Sequence, residues 1–185
     1  VPMDLQEIAL DMDLQVKPGT NVAALEAEIY LAIQQHLDPP IRFQSLGEML
    51  DKGRSTAEIF DGPLLKNGFL DPADWPKVNT HIYASDLIHI IMDLPDVVLV
   101  RNFSMSNRIT GDTVVTDIRD ALVLTEPGRF QPVMDARRSV IRYWDGRLPI
   151  QKPDDHLPAV LRSYRAGLMD RIRFKGIDTA LDIPV

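Results

Sequence analysis

The clearest signal in the chain is a strict alternation near its start. Ile8, Leu10, Met12, Leu14 and Val16 are apolar, and Ala9, Asp11, Asp13 and Gln15 fill the positions between them. A period of two sends the two sets to opposite faces, which predicts a strand with one buried face. Lys17-Pro18-Gly19 ends it, and Thr20 or Asn21 caps a helix from about Val22 to Leu37. Val22, Leu25, Ile29, Ile33 and Leu37 form one apolar stripe on that helix, so Ile29 should pack against Leu10, Met12 or Leu14. The same spacing suggests that Glu26 lies on the exposed side. Asp38-Pro39-Pro40 stops the helix, because proline disfavours a helical residue before it and has no backbone N–H. Ile41 to Leu46 reads as a short second strand.

Residues 47–81 carry Gly47, Gly53, Gly62 and Gly68 with Pro63, Pro72 and Pro76, which predicts a long irregular connection. Within it Thr56 to Phe60 reads as a short helix or strand, with Leu64, Leu65, Phe69 and Leu70 as anchors. Regular pattern returns at Ile82. Ser85 is placed to cap a helix from Asp86 to about Asp93, with Leu87, Ile88, Ile91 and Met92 apolar. After Leu94-Pro95-Asp96, the run Val97 to Met105 predicts an inner strand whose inward set is Val98 with Val100 or Leu99 with Phe103. Ser106 to Asp117 is polar. Ala121 to Thr125 and Phe130 to Met134 then flank Glu126-Pro127-Gly128-Arg129, a type II turn pattern that predicts a hairpin. Ser139 to Trp144 is a further strand, closed by Asp145-Gly146 as a tight hairpin. Asp154 or Asp155 caps a final helix from Leu157 to about Arg171, with Leu157, Val160, Leu161, Tyr164 and Leu168 on its apolar side.

The elements predict an α+β fold: a split βαβ sheet layer with helices on one face and a long insertion, then a hairpin-rich lobe and a C-terminal helix. The expected division is a core over 1–110 with its insertion at about 47–81, and a second part over 111–185.

Composition narrows the function more than the fold. The 185 residues are 45% hydrophobic and 25% charged, ordinary globular values that exclude wholesale disorder. There is no cysteine, which excludes disulfide scaffolds, thiol catalysis and thiolate metal sites. No apolar run approaches the ~20 residues a spanning helix needs. Val1-Pro2-Met3-Asp4 shows no signal-peptide pattern, and the absent initiator methionine suggests a processed chain or a domain of a larger one. The net charge of −7 is uneven: residues 1–100 hold 16 acids and 6 bases, whereas 101–185 hold 11 acids and 14 bases. An acidic total disfavours nucleic-acid binding, and the asymmetry suits docking on partners of opposite sign.

Catalytic motifs are absent: no nucleophile elbow, no His-Glu-x-x-His and no phosphate loop. His81, Asp86, His89 and Asp93 form a weak constellation for a divalent ion or proton transfer, since the last three share a helix face. The simpler reading is the solvent side of an amphipathic helix. Asp11 with Asp13 would be a glycosidase dyad only in a cleft, and solvent-face charges explain them more simply. Arg137, Arg138, Arg142 and Arg147 with Tyr143 and Trp144 have the composition of a protein–protein hot spot. In that segment Val140 and either Tyr143 or Trp144 should face a core, with the arginines outward.

One run of residues carries a resemblance. Ile82-Tyr83-Ala84-Ser85-Asp86-Leu87-Ile88, followed after one helix by Leu94-Pro95-Asp96-Val97-Val98-Leu99-Val100, resembles the C-terminal core of baseplate J-like proteins, wedge components of contractile phage tails and related injection machines. The N-terminal strand, Pro-Gly turn and helix ending in Leu37-Asp38-Pro39-Pro40 also look like that family, and Ala57-Glu58-Ile59-Phe60-Asp61-Gly62-Pro63 with Asn67-Gly68-Phe69-Leu70 is similar to the large J-like proteins of extracellular contractile injection systems. Leu181-Asp182-Ile183-Pro184-Val185 looks like the opening of a linker to a further domain. The family commonly has glycine where Asp96 stands, so a left-handed residue is expected there.

The resemblance implies a structural role without catalytic residues, cofactor or metal. It implies a baseplate wedge component that links hub and spike to the sheath-bearing ring. Its expected partners are other wedge subunits, hub or spike proteins, and sheath or tube proteins, with no nucleic acid and no membrane insertion. It would be assembled in the cytoplasm into a phage-tail-like particle that is released extracellularly in some systems. The competing readings are a metal-assisted hydrolase using His81, Asp86 and His89, and a tail-associated ligand-binding module around Tyr143 and Trp144.

Overall fold

The computed structural model describes residues 4–39, 44–61, 68–69, 71, 80–109, 114–124 and 130–172. In chain order the elements are β1 (Asp4–Val16), α1 (Val22–Leu37), α2 (Leu46–Asp51), α3 (Thr56–Phe60), β2 (His81–Tyr83) and α4 (Ala84–Met92). They continue with β3 (Val97–Ile109), β4 (Val115–Ile118), β5 (Ala121–Val123), β6 (Phe130–Met134), β7 (Val140–Asp145), β8 (Leu148–Ile150) and α5 (His156–Ile172). The chain divides into two compact units, residues 1–39 with 78–168 and residues 40–77 with 169–185.

The larger unit is built on β1. Ile8, Leu10, Met12, Leu14 and Val16 are all buried, as the alternation requires. Each such side chain taken out of water contributes about 1.5–3 kcal/mol. The same core receives Leu25, Ile29, Ile33 and Leu37 from α1, Leu87 and Ile91 from α4, and Val160 and Tyr164 from α5. Asn21 caps α1, its side chain accepting from the N–H groups of Ala23 and Ala24, and Gly19 makes the preceding turn at φ 78°.

The sheet runs β4-β3-β1-β7-β8, with β6 also paired to β1. The fold is α+β, but β1 and β3 are adjacent and antiparallel, without the parallel crossover of a split βαβ unit. Among the described residues of the expected second strand, 44–46, none joins a sheet. Gln44 makes only an isolated bridge to Phe69, Leu46 opens α2, and 41–43 lie outside the described residues.

The expected hairpin of 121–125 with 130–134 is not formed. β5 pairs with β2, whereas β6 runs parallel to β1, and the Pro-Gly turn lies outside the described residues. β6 and β7 lie along the same edge of β1, over Asp4 to Ile8 and then Asp11 to Gln15. The break between them, residues 135–139, is stitched to β1 at both ends. The Asp135 N–H donates to the Ile8 carbonyl at 2.8 Å, and the Leu10 N–H donates to Ser139 Oγ at 3.1 Å. A side-chain oxygen there replaces a missing ladder carbonyl, which keeps a buried N–H satisfied. The far edge of β6 is covered by Gln34 of α1, whose amide accepts from the Met134 N–H at 2.8 Å and donates to the Pro132 carbonyl at 3.4 Å.

β3 extends through Ser106 to Ile109, so the polar stretch begins as strand. Neither expected inward set is correct: Val98 and Leu99 are exposed, and Val100, Phe103 and Met105 face the core. Two register shifts cause this, one at Val98, where Gln15 pairs with Leu99 but Val16 with Val97, and a bulge at Asn102. Asp11 pairs with Ser104 and Asp13 with Arg101, so β3 has one residue more than β1 there, and Asn102 takes φ 51°. Asp96 is not left-handed; its carbonyl accepts from the Lys17 N–H at 3.0 Å. The β7–β8 hairpin forms as expected, with Gly146 at φ 59°. Helix α4 begins earlier than expected and Tyr83, not Ser85, stands at its cap. On α5 the expected Leu157 is exposed, and His156 beside it is buried instead.

In the smaller unit two short helices repeat one device. Ser45 with Glu48 and Ser55 with Glu58 each form a capping box, and Thr56 to Phe60 is helix. Met49 and Ile59 are buried, and buried Asp71 binds Arg54 at 2.9 Å and Lys52 at 3.7 Å. Leu64, Leu65, Leu70 and the 181–185 linker segment lie outside the described residues.

Candidate interaction surface

Alternation along β1 leaves its odd positions on the face opposite the helices. There they meet outward residues of both neighbours in register: Asp11 with Ser104 and Val140, Asp13 with Arg101 and Arg142, and Gln15 with Leu99 and Trp144. Arg142 crosses both acids. Its Nη2 donates to Asp11 at 2.6 Å and its Nε donates to Asp13. Asn102 Nδ2 donates to the other Asp13 oxygen at 2.5 Å. Burial alone would raise the Asp13 pKa, but the hydrogen bonds from Arg142 and Asn102 outweigh it and hold the carboxyl below its ordinary range. Asp11 and Asp13 are therefore occupied by a cation and do not form an acid–base dyad.

Gln15, Arg101, Asn102, Trp144 and Arg147 line, with Asp13, a shallow depression of about 500 Å³. Arg101 reaches Gln15 Oε1 at 3.3 Å. Of the expected interface residues, Arg137 and Arg147 are exposed, and Trp144 is half-buried beside the depression. Arg138 is largely withdrawn, with its Nε 3.8 Å from Asp135. Arg142 is exposed but committed to Asp11 and Asp13. The Tyr143 ring lies in the core at 1% exposure and adds nothing to this face. Val140, expected inward, is exposed, and Ile141 and Tyr143 take the core positions.

The spacing argument misplaces Glu26, which is 2% exposed. Its Oε1 accepts from the Tyr30 hydroxyl at 2.9 Å. Its Oε2 accepts from His156 Nε2 at 2.7 Å, Lys152 Nζ at 2.8 Å and the Tyr143 hydroxyl at 3.1 Å. Burial opposes ionisation, yet the hydrogen bonds from Lys152 and His156 prevail and lower the Glu26 pKa. Burial, reinforced by the Glu26 charge, raises Tyr30 and Tyr143. This cluster joins α1, β7, the segment after β8 and α5, and the burial of Glu26, Tyr30, Tyr143 and His156, with Lys152 alone reaching solvent, suits it to holding the fold together. A signal for it existed: Glu26 is four residues from Val22 and three from Ile29, within the arc of the apolar stripe.

His81, Asp86, His89 and Asp93 do not converge. His89 and Asp93 form an exposed pair at 3.8 Å, and His81 Nδ1 meets Thr80 Oγ1 at 2.9 Å. Among the described residues no three His, Asp or Glu side chains could hold one metal ion.

Among the described residues no helix is long and apolar enough to cross a membrane. No curated protein matches the chain. Residues 2–121 match the family model described as Baseplate wedge Pvc12-like domain 3. That span takes in β1, α1, α4, β3 and the bulge that lines the depression. The chain belongs to this baseplate wedge family, and is a structural component of the baseplate of a contractile, phage-tail-like injection particle.

Proposed function

We propose that this chain links the central hub and spike to the sheath-bearing ring and relays baseplate widening into sheath contraction. Its partners are other wedge subunits, hub or spike proteins, and sheath or tube proteins, and the particle is assembled in the cytoplasm before any extracellular release. The role is mechanical and involves no catalysis by the chain. The observation that carries the reading is the two-sidedness of the sheet. One face is filled by helices, and the other presents Trp144, Arg101, Arg147 and the Asp11–Arg142–Asp13 row to solvent. A face with a half-buried aromatic flanked by arginines has the composition of an interface centre. The Asp11–Arg142–Asp13 row would hold that face in one shape while load passes across it.

The test uses Arg137 and Arg147, which make no ion pair with a described residue, so that a docking defect is not confused with a folding defect. Particles made with Arg137→Glu and Arg147→Glu together should show few intact, sheathed assemblies by electron microscopy, because like charges across an interface cost several kcal/mol. The circular dichroism of the isolated variant should be unchanged. Normal numbers of sheathed particles would remove the Arg147 rim of this face, and the Arg137 turn between β6 and β7, from the wedge interface.

A further inference from the structure

Resting on the reading that this sheet face docks in the baseplate, we propose that the depression beside Trp144 receives a carboxylate side chain from an acidic segment of a neighbouring baseplate protein, held between Arg101 and Arg147. The depression is shaped by two local departures from regular backbone. On one side the β3 bulge, with Asn102 left-handed, sends the consecutive side chains Arg101 and Asn102 to the same outer face. An unbulged strand would have turned one of them into the core. On the other side Gly146, at φ 59°, turns β7 into β8 and delivers Arg147 to the rim. A left-handed non-glycine residue is sterically unfavourable, and such residues concentrate where a strand must re-aim side chains.

Charge sets the chemistry of the occupant. The carboxylate inside the depression, Asp13, is already taken by Arg142 and Asn102. Arg101 is left with the neutral amide of Gln15, and Arg147 with no partner among the described residues. Two guanidinium groups that hydrogen-bond no carboxylate, Arg101 acting on Asp13 only through its charge, thus flank an indole that supplies apolar contact to the stem of an incoming Glu or Asp. A volume of about 500 Å³ admits a few side chains, and not a folded element. A nucleic-acid strand fits less well. Its phosphates would have to run past exposed Asp11 on the same face, on a chain of net charge −7.

The test is a nuclear magnetic resonance titration of the full chain, with the Trp144 indole signal assigned by Trp144→Phe. The probes are the capped peptide Gly-Gly-Glu-Gly-Gly, its Gln counterpart and a short oligothymidylate. The Glu peptide should shift the Trp144 indole and the Arg101 and Arg147 side-chain signals, and the Gln peptide should not. Arg101→Gln with Arg147→Gln should weaken Glu-peptide binding at least about tenfold, the loss of even one charge-assisted hydrogen bond at the low end of its range, with an unchanged dichroism spectrum. Equal shifts from the Glu and Gln peptides, no shifts, or tighter binding of oligothymidylate would each overturn the proposal. Absence of Glu-specific binding, with particles still failing when Arg137 and Arg147 are reversed, would sink the carboxylate inference and leave the docking reading standing. Glu-specific binding with normal particles would uphold the cleft's chemistry and sink the docking reading.

Discussion

Glu26 Oε2 and His156 Nε2 lie 2.7 Å apart in the interior, although 130 positions separate the two residues in the chain. The carboxylate oxygen accepts, so the imidazole donates from Nε2, and its Nδ1 is buried without a hydrogen-bond partner among the described residues. The bond fastens the start of α5 to the second turn of α1. Lys152 and two tyrosines complete the shell around the same carboxylate. Buried charge held this way is costly to break from one side, because the remaining donors cannot regain water.

Glu26→Ala should therefore destabilise the chain by about 3–5 kcal/mol in urea unfolding. Glu28→Ala, two positions on and exposed, should change stability by less than about 0.5 kcal/mol. Equal costs would show that the cluster contributes nothing to stability.

The pH dependence has two limbs. Glu26 is depressed below its ordinary value of 4.5, so its contribution is complete above that pH and is lost as pH falls through the lower folded value. Glu26→Gln should flatten this acid limb. Burial pushes Tyr164 up to about 12 from 10.0, so its contribution is complete below pH 10 and is lost as pH rises through about 12. Tyr164→Phe should remove part of the alkaline limb. Urea midpoints across the pH range and phenolate absorbance check both signs.

Arg142→Glu would place three carboxylates together where one cation now bridges two. It should cost about 1–2 kcal/mol, above the usual value of an exposed pair because like charges replace two bonds. Arg137→Glu should be neutral within about 0.5 kcal/mol by the same denaturation measurement.

Gly167 on α5 faces Leu31 of α1 so closely that an added Cβ would fall 2.4 Å from Leu31 Cδ1. Gly167→Ala should lower stability by about 1–2 kcal/mol, overpacking outweighing the gain in helix propensity. In a Leu31→Ala background the same change should stabilise by about 1 kcal/mol. A double-mutant cycle with no coupling would mean that the two helices do not meet at this point.

What the chain's order alone determined is whatever depends on neighbours a few residues apart. The buried face of β1, the apolar stripe of α1 through Ile29, the Asp145-Gly146 turn and the extent of α5 all follow from local period and turn chemistry. The residues from Ile82 to Val100 sufficed to indicate a baseplate wedge relationship, which the family match bears out.

Tertiary structure decided whatever needed a partner far along the chain. Helical spacing suggests the exposed side for Glu26, and only its distant partners Tyr143, Lys152 and His156 explain why it is buried and make that burial tolerable. Arg142 looked like a free surface cation until β7 lay parallel to β1 and brought it over Asp11 and Asp13. Ala121 to Val123 and Phe130 to Met134 have the composition of a hairpin, yet each finds a better partner, β2 for the first and β1 for the second. Strand pairing is a competition among edges, and the winning edge is invisible to a local pattern. The bulge at Asn102 is the sharpest case: one extra residue reverses the faces of everything after it, and that shift arises from pairing with β1 rather than from β3 itself.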